Sequence, residues 1–216
     1  MKKLQIPDNT IKRFPVYLNL LDQLLQDEKE VFYSQDLAKY LGIKPSIIRK
    51  DLSYLGELGV RGHGYSVEKV RREIRTLLGI CHNYWDTVII GAGNLAKALI
   101  NYNNEQDINI RVKAAFDIDP HKVGTEIYGV PVLDISEFQN FVKQHSITMV
   151  VLAVPCNSVD PTAALIAQTD IKGIINMTPR YLKVPDHIRV IHINITAKIQ
   201  AMFFYLQQDN ISGGNE

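Results

Sequence analysis

Cysteine is nearly absent: Cys81 and Cys156 are the only two in 216 residues. They form no CxxC pair and show no paired-ligand spacing, so the fold needs no disulfide framework. A reducing, cytoplasmic setting is expected, with no metal. Long hydrophobic runs are missing too. No segment approaches the roughly 20 apolar residues that span a bilayer, and no basic stretch leads into an apolar one at the start, so neither membrane insertion nor export is expected. Neither charge sign dominates, since the formal net charge is +1. That balance hides an asymmetry. Residues 1–80 carry 14 Lys and Arg against 10 Asp and Glu, a net of +4, while the rest carries 10 against 13, a net of −3. A basic first part points to a polyanion partner for that part alone, although a domain without such a partner can carry as much charge. A catalytic constellation is lacking as well. His121, His145, His187 and His192 are scattered, and no His/Arg/Asp cluster follows Asp119.

What is present begins at Thr87. The run T-V-I-I-G-A-G-N-L-A-K-A-L is followed about two dozen residues later by V-K-A-A-F-D-I-D. It reads as an apolar strand, a glycine turn, a helix and a second strand ending in acid, the order that dinucleotide binding requires. Gly91 makes the tight turn and Gly93 lets the backbone approach a pyrophosphate. The helix start, from Asn94, supplies unpaired N–H groups and a positive dipole end. Asp117 closes the second strand, where a carboxylate can accept ribose hydroxyls and repel a 2′-phosphate, favouring NAD. A lone acid there can also be a simple cap. Gly-rich phosphate binding would equally accept coenzyme A or another adenine nucleotide.

A whole small domain precedes this motif. Thr10 is placed to cap a helix with Ile11, Phe14, Leu18, Leu21 and Leu25 at helical spacing. Pro15 predicts an irregular first turn or a later start. Ser34 caps S-Q-D-L-A-K-Y-L, which Gly42 stops. A third helix runs from about Pro45 to near Gly56. Two short helices about four residues apart are helix-turn-helix geometry. In the third helix Ile48, Leu52 and Leu55 face inward, and Ser46, Arg49, Lys50 and Ser53 share another face. Cations among small hydroxyls suit a major groove, although a solvated helix face has the same pattern. Next comes G-E-L-G-V-R-G-H-G, four glycines in nine residues, which places Arg61 and His63 at a hairpin tip. A basic hairpin behind a recognition helix is the wing of a winged helix. E-K-V-R-R-E-I-R-T-L-L-G closes the domain as a fourth helix.

After Asp119 strand and helix alternate. Ser136 caps one helix and Pro161 to Thr169 forms another. I-T-M-V-V-L-A-V-P, I-K-G-I-I-N-M-T-P and I-R-V-I-H-I-N-I read as strands buried in a parallel sheet. The fold class is therefore α/β: an N-terminal winged helix over residues 1–80 and a Rossmann-like doubly wound parallel sheet over 85–195. Gly91, Asp117, Pro155 and Asn176 fall at strand carboxyl ends, where ligands bind such sheets. The last helix, 196–210, is too apolar to lie free in water. It either packs on its own domain or enters a partner subunit.

These motifs, in this order over almost the whole chain, resemble the Rex family of NAD(H)-responsive bacterial repressors. The likeness rests on I-P-x-x-T-I-x-R, I-R-K-D-L-S-Y-L-G-E-L-G-x-R-G-x-G-Y, G-A-G-N-L-A, A-F-D-I-D-P, I-x-G-V-P-V, Val154–Pro155, I-K-G-I-I-N-x-x-P and the terminal amphipathic helix. The resemblance implies a homodimer whose terminal helices are exchanged, bound to double-stranded palindromic operator DNA and released by NADH, with no catalytic residues. It implies DNA contacts at Ser46, Arg49, Lys50, Ser53, Tyr54, Arg61 and His63. It places the dinucleotide at Gly91, Ala92, Gly93, Asn94, Leu95 and Ala96, with Asp117, Asp119, Pro155 and Asn176. Arg13, Tyr102 and Asn194 match positions that couple ligand state to the DNA-binding domain. Three residues depart from the family pattern: Ala96 replaces the third glycine, Met177 an aromatic, and Asn194 an aspartate. A neutral amide at 194 forms no charged pair with Arg13, so weaker discrimination between NADH and NAD⁺ is expected. The rival readings are a regulator with weak redox discrimination, one sensing another adenine nucleotide such as CoA, and an NAD-dependent dehydrogenase. A dehydrogenase would need a positioned acid or base beside a substrate-orienting cation, and none stands out.

Overall fold

Helical periodicity in the first eighty residues is realised as four helices around a small sheet. The computed structural model describes residues 6–60, 62–81, 84–106 and 108–212. The chain divides into two compact units, Met1–Asn83 and Tyr84–Glu216. In the first, helix α1 (Asp8–Gln26) is followed by β1 (Val31–Phe32), α2 (Ser34–Leu41) and α3 (Pro45–Ser53). Strands β2 (Gly59–Val60) and β3 (Gly64–Ser66) then lead into α4 (Val67–Leu78). The strands order β1-β3-β2, all antiparallel, and β2–β3 is the wing. Gly42, left-handed at φ 62°, ends α2 and starts the turn into α3.

Two expectations for α1 change. Thr10 does not cap it: Pro7 holds that position, and Thr10 lies inside the helix, buried. The buried stripe is Thr10, Phe14, Tyr17, Leu18, Leu21 and Leu24, while Ile11 and Leu25 are exposed. The stripe turns away from Ile11 and Leu25 because the hydroxyls of Thr10 and Tyr17 have a buried partner on α3. The helix also runs unbroken through Pro15, giving up only the bond that a proline nitrogen cannot donate.

The second unit carries β4 (Trp85–Ile90), α5 (Asn94–Gln106), β5 (Ile110–Asp117), β6 (Glu126–Ile127) and β7 (Val130–Asp134). It continues through α6 (Phe138–Gln144), β8 (Met149–Leu152), α7 (Val159–Ile166), β9 (Gly173–Asn176), β10 (Arg189–His192) and α8 (Ile195–Ser212). The sheet order is β10-β9-β8-β4-β5-β7-β6. Every pair is parallel except the short β6–β7 edge. Without β6 this is the doubly wound order, with the chain reversing direction across the sheet between β4 and β8. Val88 and Ile90 pack toward one side with Phe116, Phe138 and Leu152; Ile89 packs toward the other with Ala96, Ile100 and Val132. Continuous apolar strands are thus explained by burial on both faces. Ser136 does not cap α6: it lies in a 3-10 turn, Ile135–Glu137, that leads into the helix and is capped by Asp134, whose Oδ1 accepts the Ser136 N–H at 2.8 Å. Helix α8 is different. Every described side chain from Ile195 to Gln208 is exposed, including Phe203 and Leu206.

Candidate functional site

The carboxyl ends of β4, β5 and β8 open onto one cavity of about 490 Å³. Gly91, Gly93, Asn94 and Leu95 line one side, Asp117, Asp119 and Lys122 a second, and Pro155, Ser158 and Thr162 a third. The two glycines do different jobs. Gly91 sits at φ +101°, and a Cβ there would lie 2.4 Å from the Ala153 carbonyl oxygen, so only glycine lets the turn pass β8. At Gly93 a Cβ would meet nothing within 4 Å. The space beside it is open cavity, the room that a close-approaching pyrophosphate needs. The Gly93 carbonyl accepts the first α5 bond, from Lys97 N–H at 3.1 Å, so the amides of the first turn of α5 carry its positive dipole end at the cavity. Ala96 is buried beneath that turn, and its small side chain keeps α5 close to the sheet.

Asp117 is already engaged. Oδ2 accepts the Ala92 N–H at 2.8 Å and the Lys122 ammonium at 3.0 Å, and Oδ1 accepts the Asp119 N–H at 3.0 Å. Burial pushes this carboxyl up, but the Asp119 and Ala92 amides and Lys122 outweigh it and hold it below the usual carboxylate range. Asp117 therefore fastens the glycine turn to the end of β5 while presenting charge to the cavity. Asp119 is the more open acid: Oδ1 caps the His121 N–H at 3.0 Å, and Lys122 Nζ stands 3.8 Å from Oδ2. Lys122 had no place in the sequence-derived site; a Lys five residues past a strand-end acid carries no motif of its own. Asn176 is brought to the same sheet end but not into the cavity lining. It is fully buried, with Oδ1 accepting from Thr178 N–H and Oγ and Nδ2 donating to the Arg180 carbonyl at 2.7 Å. His192 Nδ1 lies 2.9 Å from the same Nδ2. Its amide organises the loop after β9. Met177 packs against the sheet core near Ile175.

The other cluster is on α3 and the wing. Ser46, Arg49, Lys50 and Ser53 are all exposed on one face, and Tyr54 follows as the helix ends. Arg49 Nη1 donates to Ser34 Oγ at 3.0 Å, which holds the guanidinium against the start of α2. The Ser53 hydroxyl donates to the Lys50 carbonyl at 2.6 Å, leaving its oxygen free to accept. Arg49 and Ser53 line an open cleft of about 670 Å³ that reaches Gly59 and Gly62 of the wing. His63 is exposed on the wing; Arg61 lies outside the described residues.

Arg13, Tyr102 and Asn194 each have a definite local setting. Tyr102 is exposed on α5, and Asn194 Oδ1 caps α8 by accepting the Ala197 N–H at 2.9 Å. Arg13 makes a two-point pair with Asp51, Nε to Oδ2 at 2.6 Å and Nη2 to Oδ1 at 2.8 Å. Asp51 Oδ1 also accepts Thr10 Oγ at 2.9 Å and Oδ2 accepts the Tyr17 hydroxyl at 2.6 Å. Burial would raise this carboxyl, yet the bonds from Arg13, Tyr17 and Thr10 hold it below its ordinary range, and Asp51 raises Arg13 in turn. Sequence reasoning missed Asp51. The available signal was an acid between Ile48 and Leu52 on a helix face that should be apolar. Among the described residues no His/Cys/Asp/Glu group could hold a metal ion, and no helix is long and apolar enough to cross a membrane.

Comparison with known proteins adds three findings. Residues 82–180 match a family model described as CoA binding domain, and residues 5–53 one described as putative DNA-binding protein N-terminus. The redox-sensing transcriptional repressor Rex of Lactobacillus gasseri is 36% identical over 97% of this chain and 97% of its own; that of Anoxybacillus flavithermus is 37% identical over 94% and 95%. Among solved structures, RSP, a Rex-family repressor, superposes with a TM-score of 0.87 at 29% identity, covering 98% of this chain and 99% of that one. RSP in complex with β-NAD⁺ and operator DNA matches at 0.86 and 29%, covering 99% and 100%, and its β-NADH complex at 0.86 and 28%, with the same coverage.

Proposed function

The chain belongs to the Rex family of redox-sensing transcriptional repressors, and from that premise we propose that it represses transcription by binding a palindromic operator and leaves it when NADH binds. The observation that carries this reading is the pairing, in one chain, of an exposed Ser46/Arg49/Lys50/Ser53 face with a glycine-turn cavity bordered by Asp117 and Asp119. Arg49 and Lys50 supply cations to phosphates or guanine edges, and the wing follows the backbone. NAD(H) sits with its pyrophosphate at Gly93 and the start of α5 and its ribose hydroxyls at the Asp117–Asp119 end. The exposed apolar residues of α8 enter a second copy of the chain, giving a homodimer that matches a two-fold operator. Arg13, Tyr102 and Asn194 carry the ligand's state to the DNA-binding unit. Release on NADH requires only that NADH bind the DNA-free arrangement more tightly than the DNA-bound one. The reading assigns the protein no catalytic step.

A gel shift on a palindromic operator, with NADH and NAD⁺ titrated separately, tests the proposal. NADH is expected to release the DNA at lower concentration than NAD⁺; operator binding indifferent to both would sink it. The CoA-binding family match, with Lys122 beside the cavity, favours one second reading, CoA as ligand. A thermal-shift panel of NADH, NAD⁺, NADPH and CoA separates the two, because a ligand that prefers the native state raises its stability.

A further inference from the structure

Asp51 lies in the middle of α3 with only 1% of its surface exposed, behind the face that meets DNA in the reading above. At about 100° per residue, Ser46, Arg49 and Ser53 stand about 140–160° round the helix axis from it, and Lys50 about 100°. Its neighbours toward the core, Ile48 and Leu52, are apolar and buried. Apolar groups in place of the acid and its partners together would suit that environment at least as well, since burying a charge costs desolvation that packing does not. The carboxylate instead accepts four hydrogen bonds from three residues of a single element, α1: Thr10, Arg13 twice, and Tyr17.

Apolar contact is non-directional, so Ile48 and Leu52 would tolerate a small rotation of α3 about its own axis. A side-on, two-point Arg–carboxylate pair is directional, and the hydroxyls of Thr10 and Tyr17 hold the same oxygens from further positions. Rotating α3 would break these bonds and leave a buried charge unsatisfied. We propose that Asp51 is a positioning residue for operator recognition. Its ties to Thr10, Arg13 and Tyr17 set the azimuth of α3, and hence which base edges Arg49 and Lys50 reach, at a cost in stability. The proposal rests on the DNA-binding reading above and adds how that reading gains sequence discrimination. Phosphate attraction tolerates a turned helix, whereas base readout does not.

The test is the ratio of affinities for two duplexes, measured by fluorescence anisotropy. One duplex is the sequence that the wild-type protein enriches from a randomised pool, and the other is its scrambled counterpart. Tyr17→Phe removes one hydroxyl and keeps the ring in the core. The quadruple variant Thr10→Val/Arg13→Met/Tyr17→Phe/Asp51→Leu replaces the whole network with apolar groups. The quadruple is expected to melt at or above the wild-type temperature, while its operator-to-scrambled ratio falls about tenfold or more. Tyr17→Phe is expected to lose severalfold. A merely structural role would lower both affinities together through the folded fraction and leave the ratio unchanged. Either variant folding normally with the wild-type ratio would overturn the proposal. A wild-type protein that enriches no duplex would remove the DNA-binding reading itself, and the proposal with it.

Discussion

Replacing Gly93 by valine should fill the cavity proposed for the dinucleotide without disturbing the protein around it. The position has no positive φ, and a Cβ there meets no atom within 4 Å, so the added carbons extend into the cavity rather than into the sheet. Free-protein stability should fall by no more than about 1 kcal/mol, the cost of a β-branched residue at the N-cap of α5, where glycine is favoured. Ligand stabilisation changes far more. At a hundred times its dissociation constant, NADH stabilises the wild-type protein by about 2.7 kcal/mol. For a chain of this size that raises the melting temperature by roughly 5–10 °C. In Gly93→Val the same NADH concentration should raise it by less than about 1 °C. Gly91→Ala supplies the contrast. Its Cβ would lie 2.4 Å from the Ala153 oxygen and 2.7 Å from the Ala153 carbonyl carbon, at a φ that L-residues avoid. That variant should lose more than about 2 kcal/mol before any ligand is added. Differential scanning fluorimetry with and without NADH reads all three proteins. A Gly93→Val protein that keeps the wild-type NADH shift would show that the dinucleotide binds elsewhere.

Three further outcomes are expected. Asn194→Asp keeps the α8 cap at Ala197 and adds a charge, so it should widen the gap between NADH and NAD⁺ affinities in calorimetric titrations; a wild-type preference for NADH of about a thousandfold, near 4.1 kcal/mol, would refute the role given to Asn194. Phe203→Asp places a charge on the exposed apolar surface of α8 and should convert a dimer to monomer in light scattering, with weaker operator binding; an unchanged mass would put the interface elsewhere. Asp51 and Asp117 both titrate below the unfolded-state value of about 3.9, so the native state holds fewer protons than the unfolded state there. Their contribution is complete above that value and disappears as pH falls through their lowered ones. Urea-unfolding free energies should therefore drop below about pH 4, and Asp51→Asn should flatten that drop; an identical acid limb would contradict the assignment.

Much of this was legible along the chain because it depends on short windows. Gly42 and Gly79 ending helices, Pro45 beginning one, and the apolar strand into Gly91 are local chemistry, and all occur where the pattern puts them. Roles that depend on a partner arriving from a distance were not. Thr10 has the residue type and place of a helix cap, but its hydroxyl donates to an acid 41 residues away. Asn176 stands at a strand end like a ligand contact, yet its amide is taken up by Thr178 and the Arg180 carbonyl once the following loop folds back.

Asp117 joins the two kinds of information. Its place at the end of an apolar strand is what made it a candidate ribose contact, because strand length and burial are written in consecutive residues. That the same carboxylate also ties Ala92, 25 residues earlier, and takes Lys122 as a counter-ion is settled when parallel pairing sets the ends of β4 and β5 side by side. Periodicity and turn chemistry are properties of neighbours in sequence. Hydrogen bonds between elements are properties of neighbours in space, and a linear pattern cannot say which buried polar groups will meet.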